Sequence, residues 1–112
     1  MPYLFVYGTL RRGSQNEFAR LLAEQGDFVS LARVPGRLYD FGRYPGARPS
    51  DQPDEWIYGE VFSLDDALLT ALDEYEGAEF ERAMAPAIGC WIYWYVGSAT
   101  GRLIASGDWL TR

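Results

Sequence analysis

Residues 4–13 read Leu4-Phe5-Val6-Tyr7-Gly8-Thr9-Leu10-Arg11-Arg12-Gly13, a strand-forming run that breaks into a glycine turn. Strand character extends from Tyr3 to Tyr7, and a polar segment rich in helix-capping residues follows. A buried strand that stops at Gly8 leaves backbone N–H groups without ladder partners at its carboxyl end. Together with the Thr9 hydroxyl, such groups hold a carboxylate or a developing oxyanion. Alone, a strand followed by a glycine turn is ordinary punctuation. The reading gains weight only beside a carboxylate much further along, Glu76.

Working outward, two helices declare themselves. Ser14-Gln15-Asn16-Glu17 fits an S-x-x-E capping box, after which Phe18, Leu21 and Leu22 supply an apolar face up to Gly26. Ser63-Leu64-Asp65-Asp66 fits an S-x-x-D start, followed by Leu68, Leu69, Leu72 and Tyr75 before Gly77. Strands are predicted at Tyr3–Tyr7, Phe28–Val34, Arg37–Phe41, Trp56–Phe62, Ala83–Ile88, Cys90–Val96 and Leu103–Ser106. Cys90–Val96 is a continuous run of β-formers and reads as a central strand covered on both faces. Gly97–Gly101 would return it as a hairpin. Residues 40–54 hold Gly42, Pro45, Gly46, Pro49 and Pro53, and are expected to form a loop that breaks the sheet, as a lid over a site or a disordered crossing. The order of elements describes an α+β domain with a curved, barrel-like mixed sheet.

Composition narrows the chemistry. The 112 residues fit one domain spanning 1–112, with 48% hydrophobic and 16% aromatic residues available for a core. A net charge of -6 argues against a nucleic-acid partner, which needs clustered positive charge. The chain has no histidine, and all 10 basic residues are arginine. Imidazole bases, Ser-His triads, most zinc sites, Schiff-base lysines and phosphate-loop lysines are therefore excluded. Cys90 is the sole cysteine and has no histidine to activate it, so it reads as a packed thiol in a chain suited to a reducing compartment. The apolar run near the start is too short for a signal peptide, and no segment has the length of a membrane span, so a cytoplasmic location is expected.

Five acids crowd the region from 73 to 81, and helical phase separates them. Leu69, Leu72 and Glu76 are spaced by three and four, so Glu76 continues the buried stripe. Asp73 and Glu74 fall off that stripe and are expected to face water, while Glu79 and Glu81 lie beyond Gly77. Desolvation and the negative end of the helix dipole would both raise the pKa of Glu76. Phase alone leaves two roles open for Glu76: a proton-transfer group, or an acceptor that holds the following loop.

Several segments, in order, span the chain: Phe5-Val6-Tyr7-Gly8-Thr9-Leu10-Arg11-Arg12-Gly13, Gly36-Arg37-Leu38-Tyr39, Tyr44-Pro45-Gly46, Tyr58-Gly59-Glu60-Val61-Phe62, Leu72-Asp73-Glu74-Tyr75-Glu76-Gly77 and Ser106-Gly107-Asp108-Trp109. In these the chain resembles the gamma-glutamylcyclotransferase-like superfamily, especially its short gamma-glutamylamine cyclotransferase branch. The resemblance implies a small mixed barrel with two flanking helices, and cofactor- and metal-independent release of 5-oxoproline from a small-molecule gamma-glutamyl substrate. It implies substrate binding by Tyr7, Gly8, Thr9 and Leu10, and acid/base catalysis by Glu76. A non-catalytic ligand-binding module of the same fold is the alternative. Where many relatives have a tyrosine in a Y-x-R segment, this chain has Phe80-Glu81-Arg82. Arg82 is expected in a structural salt bridge, and Arg11, Arg12 and Arg43 are read as exposed.

Overall fold

The computed structural model describes residues 2–112. Along the chain lie β1 (Tyr3–Val6), α1 (Glu17–Gln25), β2 (Asp27–Pro35), β3 (Arg37–Asp40), β4 (Pro45–Arg48), β5 (Trp56–Ser63), α2 (Asp66–Glu76), β6 (Phe80–Ala85), β7 (Cys90–Tyr95) and β8 (Arg102–Leu103). A 3-10 turn at Trp109–Thr111 follows. The strands form one mixed sheet in the order β2-β5-β1-β7-β4-β3-β8, with β6 also paired to β7. The sheet curls into a half-barrel flanked by the two helices, the α+β architecture expected from the sequence.

Alternation along β1 divides the core. Leu4 and Val6 face a cluster with Leu22 of α1 and Leu68, Leu69 and Leu72 of α2, whereas Phe5 and Tyr7 face Val34, Leu38, Ile57, Ile92 and Trp109. Each fully buried leucine here is worth roughly 1.5–3 kcal/mol against exposure. Trp109 packs the end of the chain against the second cluster.

Both helix starts are displaced from the predicted caps. Asn16, not Ser14, caps α1, its Oδ1 accepting from the Phe18 and Ala19 N–H groups at 2.8 and 3.2 Å. Asp65, not Ser63, caps α2 through the Leu68 N–H at 2.8 Å, because Ser63 still belongs to β5. Each true cap is the last acceptor before helical backbone begins.

Three expectations about the sheet are corrected. The segment 40–54 is not a plain loop: β4 lies inside it, antiparallel to β3 and parallel to β7. Its glycine reflects close packing, since a Cβ at Gly46 would run into the rings of Phe41 and Tyr95. The strand expected at Ala83–Ile88 is β6, which starts at Phe80 and ends at Ala85. Pro86 lacks an N–H, and Gly89 takes φ 63 in the turn that leads to β7. Residues 97–101 do not return β7 as a hairpin; β8 pairs instead with β3, through Tyr39↔Leu103 and Asp40↔Arg102. One flank of β7 is already filled by β6, and the other is shared by β1 and β4.

Candidate active site

The shared flank of β7 creates the site. β1 runs parallel to β7 at Leu4↔Trp91, and β4 runs parallel to it further on, at Ala47↔Trp94. β1 must therefore leave the sheet where β4 joins it, and it does so at Gly8. A Cβ at Gly8 would collide with the Pro45 ring at the head of β4, so only glycine fits this crossing. The Tyr7 phenol fills the junction: it donates to the Tyr93 carbonyl oxygen of β7 at 2.6 Å and accepts from the Ala47 N–H of β4 at 3.3 Å. Burial, followed by the nearby Glu76 charge, raises the Tyr7 pKa far above its ordinary value, so the phenol stays neutral. The turn then closes with Arg11 N–H on the Gly8 carbonyl at 3.0 Å. The N–H groups of Gly8, Thr9 and Leu10 donate to no backbone carbonyl among the described residues.

A cleft of about 410 Å³ opens at this point. Tyr7, Gly8, Thr9, Leu10 and Glu76, the five residues singled out from the sequence, all line it. Glu76 is the last residue of α2; Gly77, at φ 78, follows it and donates its N–H to the Asp73 carbonyl at 3.2 Å. The Glu76 carboxyl is half-buried, and loss of solvation pushes its pKa up to about 7. Such a group exchanges a proton readily near neutrality.

The opposite rim of the turn is braced. Tyr75, next to Glu76, puts its hydroxyl 3.2 Å from Thr9 Oγ1 and accepts from Asn16 Nδ2 at 2.6 Å. One phenol thus joins the glycine turn, the start of α1 and the end of α2. The Phe18 ring stacks on it, with centroids 4.4 Å apart. Behind the turn, Arg11 is buried rather than exposed: Nε donates to Glu60 Oε2 at 3.0 Å and Nη1 to Asp108 Oδ1 at 2.9 Å. Arg12 adds its backbone N–H to Glu60 Oε1 at 2.9 Å and lays its guanidinium over the Phe28 ring.

Asp73 also departs from expectation. Instead of facing water it is half-buried and accepts from Arg82 Nε at 2.7 Å, Arg82 Nη2 at 3.1 Å and the Tyr93 hydroxyl at 2.7 Å. Desolvation favours its protonated form, but the bonds from Arg82 and Tyr93 outweigh this and hold its carboxyl below the ordinary value. The expected Arg82 salt bridge is this one. The cleft has further walls that sequence reasoning did not assign: Asn16, Arg43, Tyr44, Tyr75, Glu79, Phe80 and Tyr93. Tyr44-Pro45-Gly46 was recognisable as a matching segment, but nothing in its composition placed it across from Glu76. Among the described residues no three His, Cys, Asp or Glu side chains are grouped to hold a metal, and no helix is long and apolar enough to cross a membrane.

Residues 4–111 match the family model described as gamma-glutamyl cyclotransferase, AIG2-like. The chain belongs to this family. It is 39% identical over 118 residues to the gamma-glutamylcyclotransferase family protein YtfP of Escherichia coli K12, covering 97% of this chain and 96% of that protein. The solution structure of the E. coli ytfP protein superposes with a TM-score of 0.73 at 33% identity, covering 96% of each chain. A gamma-glutamylaminecyclotransferase B of Danio rerio is 34% identical over 82 residues, which make up 68% of this chain and 43% of that protein. The family assignment carries a gamma-glutamylcyclotransferase-like function in general.

Proposed function

We propose that this family member is a cofactor-independent cyclotransferase that cleaves a gamma-glutamylamine to 5-oxoproline and a free amine, with Glu76 as its acid/base. The observation that carries this reading is the placement of Glu76. A carboxyl with a pKa near 7, with no bonded basic partner among the described residues, shares one cleft with the Gly8–Leu10 turn, whose N–H groups donate to no backbone carbonyl there. The name of the zebrafish relative supports an amine as leaving group.

The substrate brings its own nucleophile. Its α-nitrogen attacks its γ-carbonyl carbon, forming a five-membered ring, so the enzyme has to orient the substrate rather than bond to it. Glu76 takes a proton from the attacking nitrogen as the ring N–C bond forms. The carbonyl π electrons move onto oxygen, where the N–H groups of the glycine turn stabilise the negative charge. The tetrahedral centre then collapses, the bond to the amine nitrogen breaks, and Glu76 returns its proton to that leaving nitrogen. No step calls for imidazole, lysine or metal, in keeping with the residues the chain has.

Replacing Glu76 with Gln keeps shape and removes the proton acceptor. In assays of 5-oxoproline by mass spectrometry over a panel of gamma-glutamyl compounds, E76Q is expected to lower kcat by about 10²–10⁴-fold. Wild-type kcat/KM is expected to rise with pH through about 7, as Glu76 becomes ionised. Wild-type inactivity over the whole panel, or full activity of E76Q, rejects the reading.

A further inference from the structure

Four phenols line the cleft with Glu76: Tyr7 just after β1, Tyr44 just before β4, Tyr75 from α2 itself and Tyr93 from β7. None donates to the Glu76 carboxyl among the described residues. A phenol carries a single proton and serves one acceptor with it. Tyr7 donates to the Tyr93 carbonyl at 2.6 Å, and the Tyr75 hydroxyl is engaged with Thr9 and Asn16. Tyr44 stands beside Glu79, whose charge follows burial in raising its pKa. Tyr93 donates to Asp73 Oδ1 at 2.7 Å, with the Leu69 carbonyl farther off at 3.5 Å. Burial comes first in raising the Tyr93 pKa, then the bond to Asp73 and the charges of Asp73 and Glu76, so this phenol lies in the field of both acids. The charged groups on the same walls are Arg43 and Glu79, and no arginine lies within 4.0 Å of the Glu76 carboxyl among the described residues.

Asp73 is built to keep the Tyr93 proton. It stands one turn before Glu76, so the two carboxyls leave neighbouring positions on one helix. Arg82 of β6 grips it in a fork, Nε at 2.7 Å and Nη2 at 3.1 Å, while the same guanidinium lies over the Trp91 ring at 4.4 Å. A carboxylate paired in this way stays ionised and accepts a phenol proton strongly. Without Asp73, the acid left in the field of the Tyr93 hydroxyl is Glu76. A donor bonded to an ionised carboxyl favours that form, by about one pH unit per bond, and makes it a weaker base.

We propose that Asp73 is a positioning residue for the proton transfer: held by Arg82, it takes the Tyr93 hydroxyl and so keeps the wall beside Glu76 free of a donor. This rests on the ring closure proposed for Glu76. Asp73 touches no reacting atom and acts through Tyr93. Two acids of one helix are thereby set apart, one saturated with donors and the other deprived of them. The deprived acid is the one whose proton moves.

The titration of Glu76 itself tests this, followed by NMR in protein carrying carbon-13 at its glutamate carboxyls, with the Glu76 signal identified by its loss in E76Q. The wild-type midpoint is expected near 7. D73A is expected to lower it to about 6 as the freed hydroxyl turns to Glu76, and the midpoint of the kcat/KM profile against pH moves with it. Y93F alone is expected to leave the midpoint near 7, and adding Y93F to D73A to return it to that value. A wild-type midpoint near 4.5, an unmoved midpoint in D73A, or a shift in D73A that persists in the double variant overturns the proposal. If D73A does not fold, Y93F decides: an unchanged Glu76 midpoint sustains the proposal, and a moved one overturns it. The titration is read without substrate, so failure of every gamma-glutamyl compound to turn over counts against ring closure alone.

Discussion

Glu60 and Glu76 are both carboxylates drawn out of water, and the chain treats them in opposite ways. Glu60, in the middle of β5, is 3% exposed and engages Arg11 Nε, the Arg12 N–H and, at 3.5 Å, Arg12 Nε. Glu76 has lost much of its hydration without a bonded cation among the described residues, and its pKa stands near 7. Asp73, one turn before Glu76 on the same helix, follows the Glu60 pattern through Arg82 and Tyr93. Burial with partners turns an acid into a structural tie. Burial without them leaves a proton that moves at neutral pH.

The largest effect expected from this contrast concerns stability. Glu60→Ala strips the buried Arg11 of one of its two counter-charges and is expected to cost about 3–5 kcal/mol, read from urea unfolding midpoints. E76Q is expected to leave the midpoint at neutral pH unchanged or raise it. An equal loss in both variants would erase the distinction.

A second effect is a pH dependence of opposite sign for the two acids of α2, amounting to about 3 kcal/mol for Glu76. The folded pKa of Glu76, about 7, lies above its ordinary 4.5, so between these values the native state holds a proton that the unfolded chain has released. Its contribution to stability is complete below about 4.5 and is lost as pH rises through about 7. Asp73, held below its ordinary value, contributes above that value and loses its contribution as pH falls. Subtracting the E76Q stability profile from that of the wild type isolates the first slope. A flat difference between pH 4.5 and 7 would show that Glu76 is solvated after all.

The smallest effect concerns the neutral phenol at the strand junction. Tyr7→Phe leaves the Tyr93 carbonyl and the Ala47 N–H without their shared partner, and should cost about 1–2 kcal/mol. Thermal unfolding measures it. No change would mean that water replaces the hydroxyl there.

How much of this was legible in the sequence follows from the range of each signal. Glu76 was found because its phase with Leu69 and Leu72 is set within two helical turns. The glycine turn was found because Gly8 interrupts a compact strand. Arg11 was misread because its counter-charges stand at Glu60 and Asp108, far along the chain, and Asp73 because Arg82 and Tyr93 arrive from other strands. β4 was hidden by its composition: Pro45 and Gly46 serve close contacts with Gly8, Phe41 and Tyr95 but read locally as loop residues. The aromatic wall opposite Glu76 depends on the parallel pairing of β4 with β7, and no local pattern encodes that partnership.

The parting of β1 and β4 along β7 also divides labour between separate pieces of chain. In the proposed reaction, proton handling falls to the end of α2 and the turn after β1, whereas another part of the cleft wall is supplied by Tyr44, just before β4, and by the start of β6. Under that proposal, descendants of such a protein are free to alter this separate wall of the cleft while inheriting the acid and the glycine turn untouched.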